Sequence, residues 1–216
     1  MIRYYDAGTD NNERETIMTR ILHGIPLSGH THRARLFLHL LDLTYEFADC
    51  PADVRNSAAF RALNPLGQIP VLQDGDVVLA DSTAILVYLA KRYAPGSGWL
   101  PDDPVGAARV QRWLSQASGE IMYGPAAARV SARFYDTGVP ASLSQALAAR
   151  VLGLMEGELA ARDWLVGAAP TIADIACYSY IAHAPEGGIA LDPYPQVRAW
   201  IARVQALPGF VPMTAE

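Results

Sequence analysis

Residues Asn64–Pro95, NPLGQIPVLQDGDVVLADSTAILVYLAKRYAP, carry the pattern that decides the fold. QIPVLQ and DVVLAD are short β-rich runs, and Asp74-Gly75-Asp76 between them predicts the turn of a hairpin. Ser82 follows at once as a natural N-cap for TAILVYLAKRYA, whose Ile85, Leu86 and Leu89 make one buried face. Pro70 cannot donate to a strand ladder, so it belongs at a sheet edge or in a cis turn, where backbone groups stay free to meet a ligand. Ser82 joins a hydroxyl to the N–H groups of a helix N-terminus, a pair that suits a carboxylate. Taken singly, Pro70 reads as a plain edge proline and Ser82 as a plain N-cap.

Upstream, MTRILHGIPL from Met18 reads as a strand that ends in a Pro-Leu-Ser-Gly turn. HRARLFLHLLDL then places Ala34, Phe37, Leu38 and Leu41 on one helical stripe, TYEFADC is a second strand, and a polar connection runs through Phe60. The order βαβ, connection, ββα predicts a four-stranded mixed sheet with helices over residues 18–94. Residues 95–104, PGSGWLPDDP, read as a linker. Beyond it, Val110, Trp113, Leu114, Ala117 and Ile121 keep helical spacing, as do Val197, Trp200, Ile201 and Val204, so residues 105–216 read as an all-α helical bundle. Residues 1–17, rich in charge and poor in apolar side chains, read as an N-terminal extension.

The whole chain of 216 residues is 51% hydrophobic and 18% charged with a formal net charge of −5. That composition demands a core and excludes a disordered tail, and a net negative chain with scattered arginines is not expected to bind nucleic acid. Cys50 and Cys177 lie far apart without metal-type spacing, so free thiols in a reducing cytoplasm are expected. The N-terminus lacks the basic start and apolar stretch of a signal peptide, and runs such as AILVYLA are too short to span a bilayer, which predicts a soluble cytoplasmic protein with no membrane partner.

With this element order, Ile69-Pro70 and Asp81-Ser82 together resemble the glutathione transferase superfamily, and the resemblance extends over nearly everything after Met18. It implies an α+β N-terminal thioredoxin-like domain followed by an all-α domain, with glutathione as co-substrate and a homodimer as the assembly. It further implies that Pro70 is cis, that the Ile69 backbone pairs with the cysteinyl part of glutathione, and that Asp81 and Ser82 hold its γ-glutamyl end. Gln68 fills the place from which a side chain reaches the glycyl carboxylate. Lys91 is the only lysine, so any full positive charge there comes from an arginine, Arg55 or Arg61.

The loop Leu27–Arg33, LSGHTHR, follows the first strand. Aligned with serine-using, zeta-like members, it places Ser28 on the catalytic serine and Thr31 at the helix start; the other reading makes Ser28 a turn residue and Thr31 the cap. A glutathione thiol with an ordinary pKa of about 8.5 is only a few per cent thiolate at neutral pH, so a hydroxyl and a helix N-terminus that favour the anion raise the reactive fraction. His30 at the loop tip is an auxiliary contact to glutathione. No cysteine occupies the loop, which disfavours thiol-disulfide chemistry. His30 and His32 cannot share a helical face and no carboxylate or thiol completes a set with them, so no metal is expected.

In the helical half, the resemblance puts Trp113, Tyr123 and Arg129 in the electrophile pocket, with Met122, Arg133 and Tyr135 nearby. An aromatic core and solvated arginines explain the same residues. Thr171-Ile172-Ala173-Asp174 is a Thr-x-x-Asp variant of the capping box, which assigns Asp174 to structure. The expectation is a glutathione transferase that activates the thiol for attack on a small hydrophobic electrophile. The alternatives are a non-catalytic module with the same fold, or a glutathione-dependent peroxidase, dehalogenase or isomerase, because thiolate formation is common to those reactions.

Overall fold

A computed structural model describes residues 20–214. The expected extension 1–17, with Met18 and Thr19 of the expected first strand, lies outside the described residues. Strands β1 (Arg20–Gly24), β2 (Glu46–Asp49), β3 (Val71–Asp74) and β4 (Val77–Ala80) form one sheet in the order β2-β1-β3-β4. β1 runs parallel to β2 and antiparallel to β3, and β3–β4 is the hairpin, turning at Gly75 with φ of 58°. Helix α1 (Gly29–Leu40) crosses from β1 to β2, and α4 (Ser82–Tyr93) follows β4.

The polar connection, to which the sequence reading assigned no element, is partly helical. It holds two short helices, α2 (Ala52–Asn56) and α3 (Ala58–Leu63). Ser57 starts the second by accepting from the Phe60 amide at 3.2 Å, and Phe60 is its only buried residue. Helices this short show no complete apolar period, so no spacing rule could find them.

Helices α5 (Pro104–Ser118), α6 (Ala127–Arg133), α7 (Ala141–Leu159), α8 (Ile172–Ala182) and α9 (Pro195–Gln205) build the second half. Pro104 is the first residue of α5, capped by Asp103 through the Gly106 amide at 2.8 Å. Proline suits a first helical position, where its missing N–H leaves no bond unmade. Between α5 and α6, Met122–Ala126 forms a wide π-helical turn around Pro125. Pro125 has no N–H to return to the Ile121 carbonyl, so the helix opens there.

Leu22, Phe37 and Leu86 of the first half join Trp113, Ile175 and Trp200 of the second in one continuous buried cluster. The contact is polar as well as apolar. His32 of α1 is 1% exposed and bridges Ser179 of α8 and the Val211 carbonyl, both at 2.9 Å. The carbonyl can only accept, so Nε2 carries the proton and Nδ1 accepts from the Ser179 hydroxyl. Burial lowers the His32 pKa to about 4, with the Val211 bond opposing. The unfolded chain binds this proton below its ordinary value near 6.5, whereas the folded chain resists until about 4, so the stability that His32 contributes is complete at neutral pH and is lost as pH falls through that window. Denaturant titrations at pH 7 and pH 5 are expected to show about 2 kcal/mol lost to this residue, a loss that His32→Gln abolishes.

Candidate functional site

The first turn of α1 begins at Ser28, whose Oγ accepts from the Thr31 amide at 3.3 Å. Ser28 is thus the helix cap, and Thr31 is not. Thr31 is fully buried, its own Oγ1 accepting from the Ile25 amide at 3.3 Å. Of the two hydroxyls, Ser28 lines a cavity of about 710 Å³ between the two halves, and Thr31 does not.

The same cavity is lined by Gln68, Ile69 and Pro70, and the Ile69-Pro70 peptide is cis. Asn64, 6% exposed, shapes the approach to it: its Nδ2 donates to the Gln68 carbonyl at 2.8 Å and its Oδ1 accepts from the Leu66 amide at 3.2 Å. Arg61 is occupied away from the cavity, donating to the Pro65 carbonyl at 3.0 Å and to Asn56 Oδ1 at 3.1 Å. Arg55 does line the cavity, and among the described residues no carboxylate pairs with it; its buried Nε has no hydrogen-bond partner. Lys91 pairs with Asp102 at 2.5 Å on the surface.

The expected capping role of Ser82 is corrected. Asp81 is the N-cap of α4, its Oδ1 accepting from the amides of Thr83 at 2.8 Å and Ala84 at 3.1 Å and from the Thr83 hydroxyl at 2.5 Å. A carboxylate one residue earlier satisfies two helix amides at once, which a hydroxyl at the first helical position does not reach. Burial would raise the Asp81 carboxyl, but these bonds outweigh it and hold it below the ordinary range. Asp81 adopts φ of 73°, an unfavourable region for a residue with a Cβ, at a point where the backbone turns into the cavity wall. Ser82, released from capping, is 2% exposed and turns its Oγ toward His30 Nδ1 and Arg33, both at 3.3 Å. Burial first, and then the Arg33 charge, lower the His30 pKa to about 3, so its ring is neutral at physiological pH.

The second half closes the cavity. Met122 and Tyr123 of the π-helical turn, with Val130, Phe134 and Tyr135, supply an apolar and aromatic wall. Trp113 is not part of it. Its indole is 2% exposed in the core, where the helical spacing that drew attention to it puts every apolar residue of that stripe. Arg129 lines the cavity, but its guanidinium is committed: Nε donates to Glu186 at 2.8 Å and Nη1 to the Leu27 carbonyl at 3.1 Å. Glu186 is shared with Arg133 at 3.1 Å and with the His183 ring. Arg129 therefore ties α6 to the residue preceding Ser28.

Two participants were missed by sequence reasoning. Tyr180 of α8 packs so closely beneath the loop that a Cβ on Gly29 would lie 2.6 Å from its ring, and Tyr180 lines the cavity. Arg33 lies wholly buried beneath His30 and Ser82. A signal for it was present, because position 33 belongs to the same α1 stripe as Ala34 and Phe37, where a charge needs a reason. The two cysteines are buried, and burial raises both thiols above their ordinary range.

The sequence pattern described as "Glutathione S-transferase, N-terminal domain" matches residues 22–97, and that described as "Glutathione S-transferase, C-terminal domain" matches residues 143–208. Glutathione S-transferase 3 of Zea mays is 33% identical over 204 residues, covering 88% of this chain and 90% of that protein. Among solved structures, a glutathione S-transferase from Pseudomonas fluorescens is 34% identical with a TM-score of 0.82, covering 90% of this chain and 98% of its own. A glutathione transferase homologue from Drosophila mojavensis, solved with bound glutathione, is 28% identical with a TM-score of 0.78 over 89% of this chain and 90% of its own.

Proposed function

The chain belongs to the glutathione S-transferase superfamily, and from that membership we propose that it ionises glutathione beneath the Ser28 hydroxyl for attack on a small, hydrophobic electrophile. The hydrogen-bond state of Ser28 carries this reading. Its oxygen accepts from the Thr31 amide at the start of α1, so its proton is left to donate to a sulfur anion in the cavity. The helix N-terminus adds its own favourable field. The thiol proton leaves to solvent and Ser28 keeps its own. The sulfur then gives its electron pair to an electrophilic carbon that rests against Tyr123, Phe134 and Tyr135, and the bond from that carbon to its leaving group breaks, the leaving group departing to solvent as an anion.

The rest of the tripeptide fits along the same cavity. The Ile69 backbone pairs with the cysteinyl unit, Asp81 receives the γ-glutamyl ammonium and Ser82 its carboxylate. Gln68 and the unpaired Arg55 face the glycyl carboxylate, and Arg55 is preferred to Arg61 because the Arg61 guanidinium is already taken by Pro65 and Asn56. A cytoplasmic homodimer completes the reading.

Calorimetric titration with glutathione tests it. The wild type is expected to bind, and Ser82→Ala and Arg55→Gln each to weaken binding about tenfold, as loss of a hydrogen bond to a charged group does. Absence of binding by the wild type at millimolar glutathione would overturn the reading.

A further inference from the structure

Arg33 is wholly buried on α1, and among the described residues no carboxylate pairs with it. Asp81 is near enough to act on its charge but gives its Oδ1 to Thr83 and Ala84. The guanidinium instead donates from Nη1 to His30 Nδ1 at 2.9 Å and to Ser82 Oγ at 3.3 Å, and from Nη2 to the Ala117 carbonyl at 3.3 Å. Its carbon lies 5.3 Å from the centre of the Tyr180 ring, and its Nε has no hydrogen-bond partner. A buried cation without a counter-ion is costly, and an apolar side chain of similar volume would fill the same space at less cost.

The partners of Arg33 give the charge a purpose. A guanidinium has five donors and no acceptor. His30 Nδ1 must therefore accept, which places the ring proton on Nε2. Ser82 Oγ also accepts from Arg33, and its own proton faces His30 Nδ1 at 3.3 Å, from which it can turn to a carboxylate in the cavity because Nδ1 keeps its bond from Arg33. Histidine and serine can each donate or accept, and Arg33, by donating to both, leaves His30 Nε2–H and Ser82 Oγ–H as the protons that these two cavity-lining residues can offer a ligand. A buried positive charge behind two donors favours an anion and disfavours an ammonium, whereas Asp81 beside them favours the reverse.

We propose that Arg33 is a positioning residue whose missing counter-ion is the γ-glutamyl carboxylate of glutathione, engaged through Ser82 and His30. This rests on the glutathione reading above. Arg33 thereby sets which end of the ligand's α-amino acid group lies at Ser82 and which at Asp81, and it makes the site selective for a ligand that carries that carboxylate.

The test compares glutathione with gamma-aminobutyryl-cysteinylglycine, which lacks only this carboxylate, by calorimetry on the wild type, Arg33→Gln and Arg33→Lys, with thermal melts as a control on folding. The wild type is expected to prefer glutathione by about 30-fold, the range of a hydrogen bond to a charged group, and Arg33→Gln to lose nearly all of that preference. Lysine keeps the charge but its compact ammonium cannot hold both His30 and Ser82, so Arg33→Lys is expected to lose about fivefold and to stay above the glutamine variant. Arg33→Lys alone decides the matter if Arg33→Gln does not fold. A purely structural arginine would weaken both ligands equally, and an unchanged preference in the folded variants would overturn the proposal. Equal binding of the two ligands by the wild type would overturn it while leaving the glutathione reading intact; no binding of glutathione would overturn both.

Discussion

Ser28→Ala is expected to lower kcat at neutral pH by about 30- to 100-fold, because the lost bond is one between a hydroxyl and a full negative charge. The direct readout is the thiol of bound glutathione. Its ultraviolet thiolate absorbance should titrate at a pH higher by about 1.5 to 2 than in the wild type, since each unit of pKa corresponds to about 1.4 kcal/mol. The deficit should therefore shrink as pH rises toward the ordinary thiol pKa of about 8.5, where glutathione ionises unaided. KM for glutathione should move much less, because Gln68, Asp81 and Ser82 lie on other elements of the cavity wall.

Ser28 also caps α1, so the variant should lose about 1 kcal/mol of stability. That loss is separable from catalysis. A serine that only capped the helix would leave the thiolate titration unchanged, and such a result would remove it from the chemistry. Ser28→Thr keeps both the cap and the hydroxyl and should retain most of the activity. The position of the hydroxyl depends on its neighbours as well. Arg129 holds the Leu27 carbonyl at 3.1 Å from α6, and Tyr180 supports Gly29 from α8, so the second half of the chain presents the serine that the first half supplies.

That dependence explains what was legible in the sequence. The sheet, its hairpin and the helices that follow were readable because each rests on local signals: the Asp-Gly turn, period-two and helical runs, and the Thr171–Asp174 capping box. Pro70, Asp81 and Ser82 were legible as a set because they cluster within one short segment. The role of Ser82 was misjudged locally, since only the structure reveals that Asp81 captures both capping amides. Trp113 was misplaced for a different reason, whereas Arg129 does line the cavity. Helical spacing says that residues share a face but not which face meets a cavity, and it cannot reveal that Arg129 is spent on Glu186 and Leu27. Tyr180 meets Gly29 across more than a hundred residues of sequence, and the α1 stripe marks Arg33 as buried without revealing its partners Ser82 and Ala117, which lie tens of residues away.

Asp174→Ala is expected to be the most destabilising of these substitutions and to leave the chemistry of the surviving folded protein intact. The carboxylate is fully buried and accepts from the Leu165 amide at 3.0 Å, the Thr171 amide at 2.8 Å, the Thr171 hydroxyl at 3.2 Å and the Trp200 indole at 2.9 Å. Burial pushes its carboxyl above the ordinary range, and these donors draw it back. Alanine leaves two buried amides and an indole N–H without a partner, which together should cost about 3 to 5 kcal/mol. In a chain of this size that lowers Tm by roughly 10 °C or more. Asp174→Asn preserves the shape and one acceptor but turns an NH2 group toward donors, so it should fall between the wild type and alanine. The cost concentrates here because one side chain fastens α8, the segment before it and α9 at a single point. α8 is also the helix that carries Ser179 and Tyr180 against α1, so opening it loosens the floor under Ser28. Thiolate titration of the folded fraction at low temperature should nonetheless match the wild type. A shifted titration there would mean that Asp174 reaches the chemistry, and its assignment as a purely structural cap would fall.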